Sequence, residues 1–166
     1  VPVEQFEQEM EWLFRQGYNT VTLDEFTKAI NYNDQLPIKP ILLTFDDGYS
    51  DNYHSAWPIL KRFKFIGTFF IITNSVGPGM MTWEELGDLV RSGNSIGSHT
   101  ITHPDLSKSS LNHQEIELRK SKKVLEDGLG IQVNALCFPS GRYNGETLNL
   151  MSRTGYNLGF TTEQGN

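Results

Sequence analysis

Short apolar runs alternate with amphipathic stretches throughout the 166 residues of the chain. The apolar runs are rich in β-branched and aromatic residues and end at turn-forming residues, which is typical of buried strands. Thr22 and Thr82 each stand three residues before a glutamate, which is the capping-box signature of a helix start. Strands that alternate with helices predict an α/β fold with a parallel sheet. The predicted strands cover 41–45, 67–73, 95–98, 133–138 and 158–161, with a short strand-like piece at Val21. The predicted helices cover 3–16, 22–30, 51–63, 82–93, 112–129 and 144–153. The helix over 51–63 is expected to have a kink or a late start at Pro58.

Composition and net charge restrict the kinds of protein that this chain can be. The length favours one domain over residues 1–166. The net charge of −6 argues against nucleic acid as the main partner. No apolar run approaches the roughly 20 residues that a membrane span requires. The single cysteine, Cys137, excludes an internal disulfide and a multi-cysteine zinc site, and its strand-like surroundings predict a small core residue.

Polar motifs follow three of the predicted strands at the point where each strand ends. Asp46-Asp47 follows the first, His99 follows a later one, and Pro139-Ser140-Gly141 follows another. Ligands of parallel α/β folds bind at the carboxyl ends of the strands. The three motifs therefore predict one site at one end of the sheet.

The residue types in these motifs indicate a metal site with one additional carboxylate that is not needed as a ligand. Two adjacent carboxylates after an apolar strand repel each other and are costly unless a cation compensates their charge. His99 and His103, with three residues between them, are candidate ligands together with Asp47, since two histidines and one carboxylate form a common catalytic zinc shell. Asp46 could then take a proton from an attacking water as general base. Each motif alone has a simpler interpretation: Asp-Asp-Gly is more often a turn, and paired histidines are more often surface or core residues.

The remaining candidates have less specific signals. The turn after Phe138 could aim backbone N–H groups at a tetrahedral oxyanion, and a plain Pro/Gly turn is an equally good interpretation. His54 and His113 fall on predicted helices, and we expect both to be solvated. Trp57 and Trp83 occupy apolar helix positions, which predicts core packing.

Taken together, the motifs resemble those of the polysaccharide deacetylases, the NodB-homology domains of carbohydrate esterase family 4. The resemblance rests on Thr-Phe-Asp-Asp-Gly at 44–48, Ser-His-Thr-x-x-His-Pro at 98–104 and Phe-Pro-Ser-Gly-x-Tyr-Asn at 138–144. It implies a distorted (β/α) barrel, usually of seven strands, and metal-dependent removal of acetyl groups from N-acetylglucosamine polymers. Carried over by position, it implies Asp46 as the general base, Asp47, His99 and His103 as ligands of a divalent metal (Zn²⁺ by default, Co²⁺ or Ni²⁺ as alternatives), and the backbone N–H of Ser140 at the oxyanion position.

Two features depart from the family pattern. Cys137 stands where the family often has an arginine that pairs with the catalytic base, so another basic residue, with Arg142 as a candidate, would have to orient Asp46. The late Leu-x-His motif, which supplies a general acid, is absent, as is the Asp-Trp motif before it. The chain stops directly after a predicted strand, which suggests that one or two closing elements of the barrel lie beyond it.

The resemblance leaves three functions in competition. The leading expectation is an N-deacetylase that acts on chitin, peptidoglycan or poly-N-acetylglucosamine. The alternatives are an O-acetyl esterase that acts on xylan and a non-catalytic carbohydrate-binding relative. The Phe-Pro-x-Gly form of the third motif resembles the subgroup that acts on exported envelope polymers. It therefore predicts a polysaccharide partner and an extracellular or cell-envelope location.

Overall fold

Parallel strands form the frame of the molecule in the computed structural model, which describes residues 1–164. Five strands, β3 to β7, lie side by side in sequence order and form a curled half-barrel, and every pair of neighbours is parallel. A separate parallel pair, β1 and β2, lies outside this sheet. The strands are β1 (Asn19–Thr20), β2 (Pro40–Ile41), β3 (Thr44–Phe45), β4 (Thr68–Ile71), β5 (Ser95–Ser98), β6 (Ala135–Cys137) and β7 (Leu158–Phe160).

Within each sheet, helical segments connect successive strands, as parallel pairing requires. The two predicted capping boxes form: the Thr22 and Thr82 hydroxyls accept the N–H groups of Glu25 and Glu85. Short 3₁₀ turns cover Thr73–Ser75, Leu106–Lys108 and Pro139–Gly141, directly after or near strand ends. The α-helices are α1 (Val3–Arg15), α2 (Leu23–Tyr32), α3 (Trp57–Arg62), α4 (Trp83–Arg91), α5 (Leu111–Leu129) and α6 (Gly145–Thr154). None of the helices within residues 1–164 has both the length and the hydropathy needed to cross a bilayer.

Strand β4 is buried on both faces and separates two apolar clusters. Phe69 and Ile71 belong to the larger cluster, which contains the buried sides of the helices. Phe70 points the other way and packs with Ala135 and Cys137 inside the half-barrel. The Phe70 ring lies over Gly97, where an added Cβ would stand 2.3 Å from the ring. A glycine in β5 thus makes room for the aromatic side chain that fills the interior.

Three local predictions need correction. The strand predicted over 41–45 is two strands in two different sheets, because the chain leaves the β1–β2 pair at Ile41 and joins β4 through Leu43 O and the Thr68 N–H. The helix predicted over 51–63 is π-helical over Asn52–Ala56 and α-helical over Trp57–Arg62, because Pro58 has no N–H to donate and its ring disturbs the α-helical pattern one turn earlier. Trp57 is buried as predicted, whereas Trp83 is 38% exposed and covers Gly128 of α5 at the rim of the core.

Candidate functional site

A tight turn after β3 separates the two adjacent carboxylates. Asp47 has φ +72, and the Gly48 N–H donates to Asp46 O at 2.9 Å, which defines a γ-turn of the rarer, more strained form. Gly48 follows with φ +84, and a Cβ there would lie 3.3 Å from Ile71 Cδ1, so the turn requires glycine. Because the backbone reverses at Asp47, the two side chains can face different neighbours.

His99 continues β5 and is the most buried of the candidate residues. Its N–H donates to Ile71 O at 2.9 Å, and its Nδ1 lies 2.8 Å from Cys137 O, so the ring is held by two strands. Burial lowers the pKa of the His99 imidazole below its ordinary value, which favours the neutral ring at neutral pH. With Nδ1–H donating to the carbonyl, Nε2 carries a lone pair directed away from the strands.

His103 reaches the same point from a strained loop. Thr100 and His103 have φ +67 and +59, a region that branched and bulky side chains rarely adopt. The His103 N–H donates to Thr100 Oγ1 at 3.0 Å, which closes the loop on itself. This closure brings the His103 ring to 4.7 Å from the His99 ring, nearly edge to face.

The structure therefore brings together the three residues predicted as metal ligands. Asp47 Oδ1 lies 3.4 Å from His99 Nε2 and 3.7 Å from His103 Nε2, and the three donor atoms all lie within 4.8 Å of one another. Two imidazole nitrogens and one carboxylate oxygen are a donor set that suits Zn²⁺ and neighbouring transition metals. The residues present thus fit a divalent metal ion. His54 and His113 lie elsewhere, with side chains 62% and 50% exposed, beside Glu85 and Glu117.

Asp46 belongs to a second group that shares His99. Its carboxylate, a ring nitrogen of His99 and the Cys137 sulfur lie within 4.8 Å of one another. Cys137 is buried as predicted, and burial, together with the negative charge of Asp46, raises the pKa of its thiol, so the sulfur stays protonated. An uncharged thiol thus occupies a place beside Asp46 where the family pattern often has a cation.

The turn after β6 carries the predicted oxyanion position. Ser140 is exposed and has φ +54, and Gly141 follows with φ +69. A Cβ on Gly141 would lie 2.2 Å from Thr162 Oγ1, so the turn packs closely on the segment after β7. The Gly141 and Arg142 N–H groups donate within the turn, to Phe138 O and Pro139 O. These contacts fix the shape of the turn. The turn follows β6, which is the neighbour of β5, the strand that leads to His99.

Asp105 and Glu117, which the sequence interpretation did not single out, connect these segments. Arg142 does not orient Asp46, because its Nη1 donates to Asp105 Oδ2 at 2.9 Å and so ties the Ser140 turn to the chain after His103. Hydrogen bonds from Ser107 and then from Arg142 lower the pKa of Asp105 to about 2. Two sequence features could have identified these residues. Asp105 stands two residues before Ser107, as a helix cap does, and Glu117 is a charged residue on the buried face of α5.

A cleft of about 460 Å³ opens beside the candidate ligands Asp47 and His103. Tyr49 and Met80, joined by an antiparallel bridge, line it on one side, and Thr102 lines it next to His103. The Tyr49 side chain is about half exposed at this position. An aromatic face together with polar side chains is an arrangement that can hold a molecule with apolar and polar sides.

Known proteins resemble this chain closely enough to assign its family. The family model for polysaccharide deacetylases matches residues 33–159. YxkH of Bacillus subtilis (strain 168), whose name assigns it provisionally to the polysaccharide deacetylases, is 39% identical over 166 residues, which is 99% of this chain and 60% of that protein. A poly-β-1,6-N-acetyl-D-glucosamine N-deacetylase of Staphylococcus aureus (strain MRSA252) is 29% identical over 175 residues, which is 96% of this chain and 60% of that protein. The chain thus spans about 60% of the length of these curated relatives.

Solved structures show the same architecture. The deacetylase PplD of Streptococcus pyogenes, in complex with acetate, matches with a TM-score of 0.96 at 33% identity, over 99% of this chain and 74% of that one. The prediction of an α/β fold of the deacetylase type is therefore confirmed. The chain belongs to the polysaccharide deacetylases, the NodB-homology family of carbohydrate esterase family 4.

Proposed function

We propose that residues 1–166 form one metal-dependent N-deacetylase domain that acts on a polymer of N-acetylglucosamine. The observation that carries the proposal is the convergence of Asp47 Oδ1, His99 Nε2 and His103 Nε2, with the carboxylate of Asp46 beside His99. A site that only held a metal would not need this additional carboxylate. Asp46 therefore supports catalysis over simple metal or carbohydrate binding.

Asp47, His99 and His103 would hold the ion, with Zn²⁺ as the first choice and Co²⁺ or Ni²⁺ as alternatives. When bound, it would polarise the acetyl carbonyl and increase the acidity of a water molecule. The chain's own contribution is to fix the ligands before the ion arrives. The hydrogen bond from His99 Nδ1 to Cys137 O sets the tautomer and the orientation of one ring, as outer hydrogen bonds commonly do for metal ligands.

Asp46 and Ser140 would carry the acid–base and electrostatic parts of amide hydrolysis. Asp46 accepts a proton from the attacking water as general base. The Ser140 N–H, held in the turn after β6, donates to the oxyanion that forms at the acetyl carbon. Because the turn is fixed in advance, little reorganisation is needed when charge develops.

The polymer would lie in the cleft that Tyr49 and Met80 line next to Asp47 and His103. The flat ring of Tyr49 offers an apolar surface to the face of a sugar, while the polar side chains of the cleft can bond its hydroxyl groups. The name of the Staphylococcus aureus relative favours poly-β-1,6-N-acetyl-D-glucosamine over chitin or peptidoglycan. A substrate of this kind supports a location at the cell envelope or outside the cell.

Acetate release from a panel of polymers tests the proposal. The panel contains poly-N-acetylglucosamine, chitin oligomers, peptidoglycan and acetylated xylan, each with and without a chelator, followed by added Zn²⁺. We expect acetate from an N-acetylglucosamine polymer, loss of release with the chelator and recovery with Zn²⁺. Release from xylan alone would support the O-acetyl esterase, and metal-loaded protein that binds a glycan but releases no acetate would support the binding protein. Full activity in the chelator would contradict a metal-dependent reaction.

A further inference from the structure

Glu117 is a buried carboxylate on α5 that plays no part in the ligand set proposed above. The residue is only 2% exposed. A buried carboxylate is costly unless hydrogen bonds or positive charges compensate it. The groups that compensate Glu117 therefore indicate what it does.

Most of these groups come from the loop that carries the two histidines. The N–H groups of Ile101 and Thr102 donate to Glu117 Oε2 at 2.7 and 3.0 Å, and the Thr102 hydroxyl donates to Oε1 at 2.7 Å. The fourth neighbour is His113, one turn earlier on α5, whose Nε2 lies 3.4 Å from Oε1. Both oxygens of Glu117 are thus engaged, chiefly by two consecutive residues between His99 and His103.

The loop needs such an anchor because its conformation is unfavourable on its own. Thr100 and His103 both have positive φ, and they flank the two residues that bond Glu117. Strained backbone of this kind persists only where its surroundings hold it. The His103 N–H bond to Thr100 Oγ1 is a contact within the loop, whereas the bonds to Glu117 attach the loop to a long helix.

We propose that Glu117 is a positioning residue that holds the segment 99–103 in the conformation that binds metal. The inference rests on the proposed metal site and extends it to a residue outside the ligand set. Glu117 acts through backbone N–H groups, so it sets where the His103 ring lies relative to His99. A negative charge next to these N–H groups also gives stronger hydrogen bonds than a neutral acceptor would.

Glu117→Gln tests this role because it preserves the shape and removes the charge and one acceptor. The matched control is Glu115→Gln on the same helix, where the carboxylate pairs with Arg119 at 2.8 Å, away from the loop. Zn²⁺ affinity is measured by competition with a chromophoric chelator, and the ligand geometry by the visible absorption of the Co²⁺-loaded protein. We expect about 10- to 100-fold weaker Zn²⁺ binding and an altered Co²⁺ spectrum for Glu117→Gln, with wild-type behaviour for the control.

Thr102→Val keeps the test informative if Glu117→Gln fails to fold. This variant removes only the hydroxyl donor to Oε1, and a smaller loss of Zn²⁺ affinity in the same direction is expected. Zn²⁺ affinity within twofold of wild type and an unchanged Co²⁺ spectrum in the folded variants would overturn the inference, even if the melting temperature fell. Wild-type protein that binds neither metal would instead contradict the proposed function.

Discussion

Polar residues gather at both ends of the parallel sheet, but their side chains are used in opposite ways. At the amino ends of the strands, Asn94 accepts the Gly67 N–H at 2.8 Å and donates to Leu89 O at 3.0 Å. Ser95 there accepts the Leu23 N–H at 3.1 Å. At the carboxyl ends, Asp47 and the two histidines direct their side-chain atoms at one another.

Backbone strain is more frequent at the carboxyl ends of the strands. Four of the seven non-glycine residues with positive φ in the described part of the chain, Asp47, Thr100, His103 and Ser140, follow the carboxyl ends of strands. Such conformations cost on the order of 1–3 kcal/mol each, and they cluster where function requires them. The comparison teaches that polar side chains at the amino ends stabilise the sheet, whereas those at the carboxyl ends cost stability and supply the donor atoms of the proposed site.

The largest expected effect is the loss of the buried ligand. We expect His99→Ala to abolish acetate release and to weaken Zn²⁺ binding by more than the roughly 100-fold that outer-shell changes cause. The measurements are acetate release and zinc content after dialysis. His54→Ala is the control, because this exposed histidine pairs with Glu85 and is not one of the proposed ligands. Wild-type zinc binding by His99→Ala would refute the ligand assignment.

A moderate effect is expected at the ion pair that connects the Ser140 turn with the segment after His103. Asp105→Asn removes the ion pair with Arg142 but leaves an oxygen for Ser107, so it loosens the Ser140 turn relative to the His103 loop. We expect kcat to fall about 3- to 10-fold with KM nearly unchanged, since small misplacements lower rates strongly. Arg62→Gln, which breaks a surface ion pair with Glu7, should leave kcat unchanged. An equal kcat for both variants would show that the tie has no role in catalysis.

A smaller effect is expected in the cleft. Tyr49→Ala removes the aromatic surface proposed for a sugar, so KM for a polymer should rise about 3- to 10-fold while kcat changes little. Tyr49→Phe keeps the ring and should stay near wild type. An unchanged KM for Tyr49→Ala would exclude the ring from substrate binding.

At the amino ends we expect an effect on stability alone. Asn94→Ala leaves the buried Gly67 N–H without its acceptor, which should lower the free energy of unfolding by about 1–3 kcal/mol. Urea unfolding measures this change, and Asn112→Ala on the exposed face of α5 should stay within about 0.5 kcal/mol of wild type. Loss of activity by folded Asn94→Ala would contradict the claim that the polar residues at the amino ends of the strands affect stability alone.

The sequence was sufficient to predict which residues meet, because parallel strands bring their carboxyl ends to one edge. Asp46, Asp47, His99 and His103 are all found there. The separation of the two carboxylates has an origin that periodicity does not show, namely a γ-turn with positive φ at Asp47. The split of the strand predicted over 41–45 was equally hidden, since Leu42 and Leu43 fit a continuous strand by composition.

Long-range partners of charged residues were the least predictable feature. Arg142 was a candidate partner for Asp46, but it reaches Asp105 instead. Glu117 lies in a highly charged helix, where composition favours a solvated side chain, yet it is buried against a loop 15 residues away. Helical periodicity shows which face Glu117 occupies, but only the tertiary structure shows what that face contacts.

The separate roles of the two adjacent aspartates are the central claim, and paired variants test it most directly. Zinc content and acetate release are measured together for Asp46→Asn and Asp47→Asn. We predict that Asp46→Asn keeps zinc at the wild-type level and loses about 10²- to 10⁴-fold in rate, because an amide cannot take the proton. Asp47→Asn should lose both zinc and activity. Loss of zinc by Asp46→Asn to the same extent as by Asp47→Asn, or an active Asp46→Asn enzyme, would contradict the account.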